Sequence, residues 1–260
     1  GRRGLARGLR RAAVARRPAR GRRRLEGGRT GVAKLIGHVA KLPVTRRATH
    51  SLPALSTPEV TVLEILTVCT GNICRSPLAA QLLATRLADL PVRVSSAGAR
   101  ARDGMPMTPE AADLALARGV DQALVAAHGA RYLTPVHVRT ADLVLAMARD
   151  HRREVVELDP SRMRQAFAAR EFARLAADLS DDDLRTAAAT AGQGAPPRER
   201  FAAALGAVAG RRGITLPPAS PEDDDVIDPY GRSAATYERS AVELEPGLVA
   251  VERVVRIAFG

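Results

Sequence analysis

The feature that most limits the possible folds of this chain is an apolar run that ends in a short polar loop and continues into an amphipathic helix. The run Val62–Val68 is rich in β-branched and aliphatic residues, which is typical of a strand buried on both faces. A helix is predicted to begin at Pro77, because proline suits the first helical position. One apolar stripe follows it, formed by Leu78, Leu82, Leu83 and Leu87. The chain therefore turns sharply between a strand and a helix.

The loop between these two elements, Cys69 to Ser76, has the residues of an anion-binding site. A loop in this position directs its backbone N–H groups and the positive end of the helix at one point beyond the sheet. The same field favours a thiolate at Cys69, and the planar guanidinium of Arg75 can hold two phosphate oxygens at once. Gly71 allows a tight backbone path, while Asn72 and Ser76 can brace the turn or hydrogen-bond the sulfur. The sequence predicts a phosphate-binding loop with a sulfur nucleophile.

The ten residues Val-Cys-Thr-Gly-Asn-Ile-Cys-Arg-Ser-Pro at positions 68–77 resemble the signature of the low-molecular-weight protein tyrosine phosphatases. The resemblance implies that Cys69 attacks phosphorus to form a phosphocysteine intermediate. It also implies that Arg75 and the loop amides stabilise the transition state, and that the partner is a protein substrate carrying phosphotyrosine. The residues expected to contact that substrate are Thr70, Gly71, Asn72, Ile73, Cys74, Ser76 and Tyr230.

A second part of the resemblance is the tripeptide Asp228-Pro229-Tyr230, which matches an Asp-Pro-Tyr signature near the end of the family's domain. By this match Asp228 is the expected general acid. A tyrosyl oxygen leaves more easily when it is protonated, and a positioned acid typically accelerates such a step about 100-fold to 10,000-fold. The same carboxylate can later activate water against the phosphocysteine.

Three further stretches resemble elements of the same family. Val92–Gly98 is similar to its second strand with a Ser-Ala-Gly turn, and Asp142–Met147 is similar to its third strand. His128-Gly129-Ala130-Arg131 is similar to an element whose histidine braces the loop asparagine, so His128 is expected to support Asn72. A solvated loop histidine is the alternative for His128.

Residues 61–260 are predicted to form one α/β domain with a small doubly wound parallel sheet, and the resemblance implies about four strands. This segment is longer than the family's usual domain, and we expect the excess to be a helical insertion at about 163–221. Within it a helix is suggested by the spacing of Phe167, Phe172, Leu175 and Leu179. Core packing is the expected role of such a stripe, and a lid over the site is the alternative.

Charge separates the chain into two parts. Residues 1–60 hold 16 Lys and Arg against only Glu26 and Glu59, whereas the remaining 200 residues have 24 basic and 26 acidic side chains. We therefore expect a disordered basic arm and a nearly neutral catalytic domain that requires no nucleic acid. The arm could bind nucleic acid or anionic lipid weakly. An upstream reading-frame extension, or a piece of a longer protein, is the reading that we favour for it.

The cysteine count and the lack of other motifs bound the remaining possibilities. Cys69 and Cys74 are the only cysteines, which argues against a disulfide-rich secreted fold and favours a reduced compartment, the cytoplasm by default. A reversible disulfide between them under peroxide is a further hypothesis. The five histidines are scattered, and the sequence has neither zinc-like spacing nor a Walker-type loop, so no metal or cofactor is expected. No apolar run is long enough for a membrane span or a secretory signal.

Two other functions remain open on the sequence. An arsenate reductase that uses a small thiol would need only Cys69, whereas the thioredoxin-coupled form needs further cysteines that are missing after Cys74. A non-catalytic phosphate-binding module is the second alternative.

The family's usual aromatic residue after the Ser-Ala-Gly turn is missing, because Ala99–Gly104 contains Arg100 and Arg102 instead. The motifs therefore predict phosphatase chemistry more directly than specificity for phosphotyrosine. Arg100 and Arg102 could instead favour substrates with acidic residues beside the phosphorylated one.

Overall fold

A computed structural model describes residues 62–260, and the expectations for the basic arm lie outside these residues. The described part contains one sheet of four parallel strands. In chain order the strands are β1 (Leu63–Cys69), β2 (Val92–Gly98), β3 (Leu143–Ala146) and β4 (Ala166–Ala168). This confirms the predicted α/β class and the expected four strands.

Nine α-helices connect and follow these strands in the described residues. They are α1 (Arg75–Arg86), α2 (Pro109–Ala117), α3 (Gln122–Ala126), α4 (Pro135–Thr140), α5 (Arg149–Leu158), α6 (Ala169–Ala177), α7 (Asp181–Ala189), α8 (Pro197–Gly210) and α9 (Ala234–Phe259). Short 3-10 turns lie at Pro160–Arg162 and Pro221–Asp224. Helix α1 begins two residues before Pro77, which is therefore its third residue and still has no need of a backbone N–H donor.

The strand order is β2-β1-β3-β4, so β1 pairs with β2 on one side and with β3 on the other. In register, Cys69 lies opposite Gly98 at one edge and Val68 lies opposite Ala146 at the other. The chain adds β2 on one side of β1 and then β3 and β4 on the other side, so the direction in which strands are added reverses at β1. In open α/β sheets such a switch point leaves a crevice beyond the carboxyl ends of the strands. The loop that follows β1 lies there.

Successive residues of β1 point to opposite faces, as the two-residue period of a strand requires. Leu63 and Ile65 belong to the larger core, which includes buried side chains of α1, α6, α8 and α9. Leu66 and Val68 belong to the smaller core, together with Val138 of α4 and Val155 of α5. Helices therefore cover both faces of the sheet, which fixes the carboxyl end of β1 between two packed layers.

The segment predicted to be a helical insertion begins differently from the expectation. Residues 166–168 form β4 and pair with β3, and Phe167 lies in this strand rather than on a helix with Phe172. The three strand residues are fully buried, so sheet pairing and packing decide their conformation over any local pattern. Helices α6, α7 and α8 follow between 169 and 210.

Candidate active site

The phosphate loop, residues 69–75, is held in a tight turn by the fully buried side chain of Asn72. Asn72 has a φ of 55°, a left-handed conformation that asparagine tolerates better than most residues. Its Nδ2 donates to Ser76 Oγ at 2.9 Å, and its Oδ1 accepts from the backbone N–H of Arg131 at 2.8 Å. His128 Nε2 lies 2.8 Å from the Asn72 carbonyl oxygen. These contacts of Asn72 with Ser76, Arg131 and His128 fix the conformation of the turn.

The end of β2 presses directly against this loop. The backbone N–H groups of Ala99 and Arg100 donate to the carbonyls of Cys69 and Thr70 at 2.9 and 2.8 Å. A Cβ atom on Gly98 would lie 2.6 Å from the Thr70 carbonyl oxygen and 2.8 Å from the Asn72 nitrogen. Only glycine allows this close approach, which explains the glycine of the Ser-Ala-Gly turn.

The sulfur of Cys69 lies among hydrogen-bond donors at the end of β1. The Asn72 N–H donates to Sγ at 3.2 Å, and Ser76 Oγ lies 3.0 Å away. Ser76 Oγ accepts from Asn72 Nδ2, and its own hydrogen can go to the sulfur or to the Ala97 carbonyl at 3.4 Å. Cys69 and Ser76 are both buried, at 2% and 0% exposure.

Arg75 begins α1 and places its guanidinium between the phosphate loop and a segment near the end of the chain. Its Nη1 donates to the Val226 carbonyl at 3.0 Å, and its Nη2 lies 2.9 Å from Asp228 Oδ2. Its Nε is buried and has no hydrogen-bond partner among the described residues. The Arg75 side chain is 6% exposed, whereas that of Asp228 is 53% exposed.

The carboxylate of Asp228 is oriented from two sides. Oδ2 faces Arg75, and Oδ1 accepts from the backbone N–H of Tyr230 at 3.2 Å. The preceding Ile227 N–H donates to Glu243 of α9 at 2.9 Å. Pro229 lies between Asp228 and Tyr230 and restricts the backbone of this turn. The Asp-Pro-Tyr tripeptide is therefore a structured turn that faces the phosphate loop.

Sulfur, guanidinium and carboxylate line one cavity of about 170 Å³. Its lining residues are Cys69, Thr70, Gly71, Ile73, Cys74, Arg75, Asp228 and Tyr230. The structure thus brings together the three predicted catalytic residues and five of the seven predicted substrate contacts. Asn72 and Ser76 do not line the cavity, because both are fully buried behind the loop.

Two histidines support the loop, of which the sequence indicated only one. His128 bonds a carbonyl, which can only accept, so its Nε2 carries hydrogen, and burial lowers its pKa. His151, in the first turn of α5, lies with Nε2 2.8 Å from Thr70 Oγ1. Burial and the nearby Arg75 charge lower the pKa of His151 to about 4, so its imidazole is neutral near pH 7. No local pattern indicates His151, although helices after neighbouring strands begin at the same sheet edge.

The side chain of the second cysteine, Cys74, contacts residues outside the phosphate loop. Cys74 Sγ lies 3.5 Å from Thr108 Oγ1 and 3.7 Å from the hydroxyl of Tyr237 in α9. Burial raises the pKa of the Cys74 thiol, so it remains protonated under conditions that favour a thiolate at an activated cysteine. Both cysteines are free thiols.

Residues 62–260 contain neither a candidate membrane span nor a candidate metal site. No helix in this range is long and apolar enough to cross a membrane. No group of three or more His, Cys, Asp or Glu side chains in the same range is arranged to hold a metal ion.

Comparison with known proteins identifies the family. The family model described as low molecular weight phosphotyrosine protein phosphatase matches residues 64–181. The protein named "Probable low molecular weight protein-tyrosine-phosphatase EpsP" from Ralstonia solanacearum is 39% identical over 117 residues, which are 45% of this chain and 76% of EpsP. The protein-arginine-phosphatase of Geobacillus stearothermophilus is 38% identical over 109 residues, 42% of this chain and 70% of the relative.

A solved structure of a YwlE mutant from Bacillus subtilis has the same fold. It superposes with a TM-score of 0.50 at 24% identity, over 75% of this chain and 99% of the other. The identity with EpsP extends over three quarters of that protein, and the residues matched by the family model include the phosphate loop, so the relation goes beyond fold alone. The chain therefore belongs to the low molecular weight protein-tyrosine-phosphatase family and is a cysteine-dependent phosphatase.

Proposed function

We propose that the protein removes phosphate from phosphotyrosine with Cys69 as nucleophile, Arg75 as the anion-binding group and Asp228 as the general acid. The observation that carries this proposal is that Arg75 bonds Asp228 at 2.9 Å while both line the cavity that contains the Cys69 sulfur. Three groups with complementary chemistry therefore reach one point. The predicted supporting roles of Asn72 and Ser76 agree with their contacts to the sulfur.

In the first step, the Cys69 thiolate forms a bond to phosphorus and the bond from phosphorus to the tyrosyl oxygen breaks. Asp228 gives its proton to that oxygen, so neutral tyrosine leaves. In the second step, water attacks the phosphocysteine while Asp228 accepts a proton from it, and phosphate is released. Arg75 Nε, which is unpaired among the described residues, supports its role as a donor to the equatorial oxygens.

Asp228 and the substrate phosphate compete for Arg75. A phosphate anion in the cavity replaces the carboxylate as the main partner of the guanidinium. The carboxyl group is then free to turn toward the leaving oxygen. Its 53% exposed side chain also allows a proton to be exchanged with water between the two steps.

The walls of the cavity support an aromatic substrate. Ile73 provides an aliphatic side chain, and Tyr230, which is 65% exposed, provides an aromatic ring at the mouth. Such a mouth suits the flat face of a phosphorylated tyrosine. Arg100 is exposed beside Thr70 and forms no ion pair with a described carboxylate, so we propose that acidic residues flanking the phosphotyrosine favour binding.

Phosphoarginine is a second candidate substrate, because one relative with 38% identity is named a protein-arginine-phosphatase. A guanidinium next to phosphate would favour contact with carboxylates. Asp228 is the only acidic residue that lines the cavity, and it is also the group proposed to protonate the leaving atom. The apolar wall therefore favours phosphotyrosine.

The compartment and the partners are proposals of the same kind. A nucleophilic thiol with a second free thiol in the same loop suits a reducing compartment such as the cytoplasm. The catalytic residues lie within a part of the chain that is nearly neutral, so we propose that catalysis requires no nucleic acid.

The proposal is tested with two aryl phosphates, phenyl phosphate with a poor leaving group and dinitrophenyl phosphate with a good one. Cys69→Ser should abolish turnover of both. Asp228→Asn should lower kcat/KM, which reports the step that releases the phenol, by about 100-fold or more with phenyl phosphate and much less with dinitrophenyl phosphate. Asp150→Asn, an exposed acid-to-amide change on α5, is the matched control and should have no effect.

A substrate panel completes the test. The panel contains phosphotyrosine peptides with acidic or neutral flanks, phosphoserine and phosphoarginine peptides, and arsenate with a small thiol. The highest kcat/KM is expected for phosphotyrosine peptides with acidic flanks. Full activity of Cys69→Ser would contradict the mechanism. A higher kcat/KM for phosphoarginine would replace the proposed substrate but leave the nucleophile unchanged.

A further inference from the structure

The segment that carries Asp228 is held by arginines of two helices. We define the acid loop as residues 221–228, which begin with a 3-10 turn and end at Asp228. Helix α5 contributes Arg149, whereas α6 contributes Arg170 and Arg174. Helix α6 directly follows β4, so its arginines reach the acid loop from the far edge of the sheet.

The contact between Arg174 and Asp224 is a two-pronged ion pair. Arg174 Nη2 donates to Asp224 Oδ2 at 2.7 Å, and Nε donates to Oδ1 at 3.3 Å. The side chains are 27% and 12% exposed, so water does little to compensate either charge. The remaining Nη1 donates to the Leu216 carbonyl at 3.1 Å. Removing one partner of such a pair leaves the other charge buried and unpaired.

The next residue of the acid loop is fixed by both helices. Arg170 Nη1 donates to the Asp225 carbonyl at 3.2 Å. From the other side, the Arg149 backbone N–H and Nη2 bond the Asp225 carboxylate at 2.7 and 3.0 Å. The middle of the acid loop is therefore anchored through two consecutive aspartates, Asp224 and Asp225.

The path from these anchors to Asp228 is short. Val226 N–H donates to the Met147 carbonyl at 2.9 Å, and the Val226 carbonyl accepts from Arg75 at 3.0 Å. Ile227 is the single residue between this point and Asp228. The Arg174 contact at Asp224 and these bonds at Val226 together fix the short segment that leads to Asp228.

We propose that Arg174 is a positioning residue, which acts through Asp224 to hold the acid loop so that Asp228 reaches the leaving oxygen. The inference rests on the proposed role of Asp228 as general acid. It gives the helical segment after β4 a function in catalysis through α6. In this proposal helix α6 acts on protonation of the leaving group, although it contributes no residue to the lining of the cavity.

The test compares Arg174→Met and Asp224→Asn with wild type on the two aryl phosphates. Methionine keeps an apolar stem of similar length and removes the charge. Asparagine keeps the shape of the aspartate, and it provides the same comparison if Arg174→Met folds poorly. Each variant should lower kcat/KM by about tenfold with phenyl phosphate and by less than about twofold with dinitrophenyl phosphate. Far-UV circular dichroism and the dinitrophenyl rate report the folded fraction.

The control is Arg185→Met in α7, because Arg185 pairs with Asp181 and Asp182 of its own helix. It should leave both rates unchanged. In an Asp228→Asn background, Arg174→Met should cause no further loss with phenyl phosphate, because the acid is already missing.

Equal losses on both substrates, or a full additional loss in the Asp228→Asn background, would overturn the positioning role. So would an Arg174→Met enzyme with wild-type rates. Failure of the proposed function has a different signature, since Asp228→Asn itself would then show no dependence on the leaving group.

Discussion

His151 is the third residue of helix α5, and its side chain is 6% exposed behind the phosphate loop. Its Nε2 contacts Thr70, whereas its Nδ1 is buried with no hydrogen-bond partner among the described residues. A neutral ring can occupy this site at modest cost, but a charged ring cannot, because Arg75 is close and water is excluded. The folded protein therefore resists protonation of His151.

This resistance makes stability depend on pH. The pKa of His151 falls from 6.5 to about 4 on folding, so between these values the unfolded chain binds a proton that the folded chain does not. The His151 contribution to the free energy of unfolding is fully present above pH 6.5 and decreases as pH falls toward 4. The His151 contribution to the fall is about 3 kcal/mol. Urea unfolding across this range should show a smaller fall for His151→Gln than for wild type.

His137→Gln is the comparison for this measurement. His137 also has a pKa lowered by burial, but it bonds Thr134 of its own helix cap and is only partly buried. Its replacement should leave most of the pH dependence in place. If His151→Gln keeps the wild-type pH dependence, the imidazole is not held neutral by its surroundings.

The residues of the phosphate loop were predictable because they form their contacts with each other. Cys69, Asn72 and Ser76 lie within one turn, and their spacing predicts a bracing network around the sulfur. His151 and Arg174 were not predictable, since each meets its partner only when distant segments pack together. A single histidine or arginine in an Arg-rich helix carries no local signal of such a contact.

At the scale of elements, the packing of α6 against α9 depends on one glycine. A Cβ atom on Gly247 would lie 2.7 Å from the Ala169 carbonyl oxygen and 3.1 Å from the Ala169 Cβ. Gly247 follows Pro246 inside α9, at a point where the helix already lacks one N–H donor. The first residue of α6 therefore sits directly on the backbone of α9.

Gly247→Ala should separate these helices and destabilise the protein. The added methyl group has a rigid backbone as its neighbour, so the expected loss is about 1–3 kcal/mol despite the better helix propensity of alanine. The free energy of unfolding in urea measures it. Gly206→Ala in α8, where a Cβ atom would meet nothing within 4 Å, should instead be neutral or stabilising. Equal behaviour of the two variants would contradict the close packing.

The elements that were predicted well have long, regular patterns. The apolar β1, its loop and the leucine stripe of α1 agree with the structure, apart from the earlier start of α1. The sequence predicts a helix across the three-residue β4, because Phe167 is grouped with Phe172, Leu175 and Leu179 in one apolar stripe. A strand this short contains no period of its own, and only its pairing with β3 reveals it.

At the scale of the whole molecule, charge is distributed unevenly along the sequence. Residues 1–60 have 16 basic and 2 acidic side chains, whereas residues 61–260 have 24 basic and 26 acidic ones. Many arginines of the second part are paired with carboxylates, as in Arg253 with Asp181 and Arg256 with Asp89. We therefore expect catalysis and the binding of large anions to depend on different parts of the chain.

Removal of residues 1–60 tests this separation. The shortened chain should keep kcat/KM for phenyl phosphate within about twofold, because every proposed catalytic group lies after residue 61. On a heparin column the full chain should be retained and should elute at higher salt, since its basic segment releases counterions on binding. The shortened chain, with two more acidic than basic side chains, should pass through. Retention of the shortened chain would place an anion-binding surface on the catalytic part, and a large loss of kcat/KM would show that the basic segment contributes to catalysis.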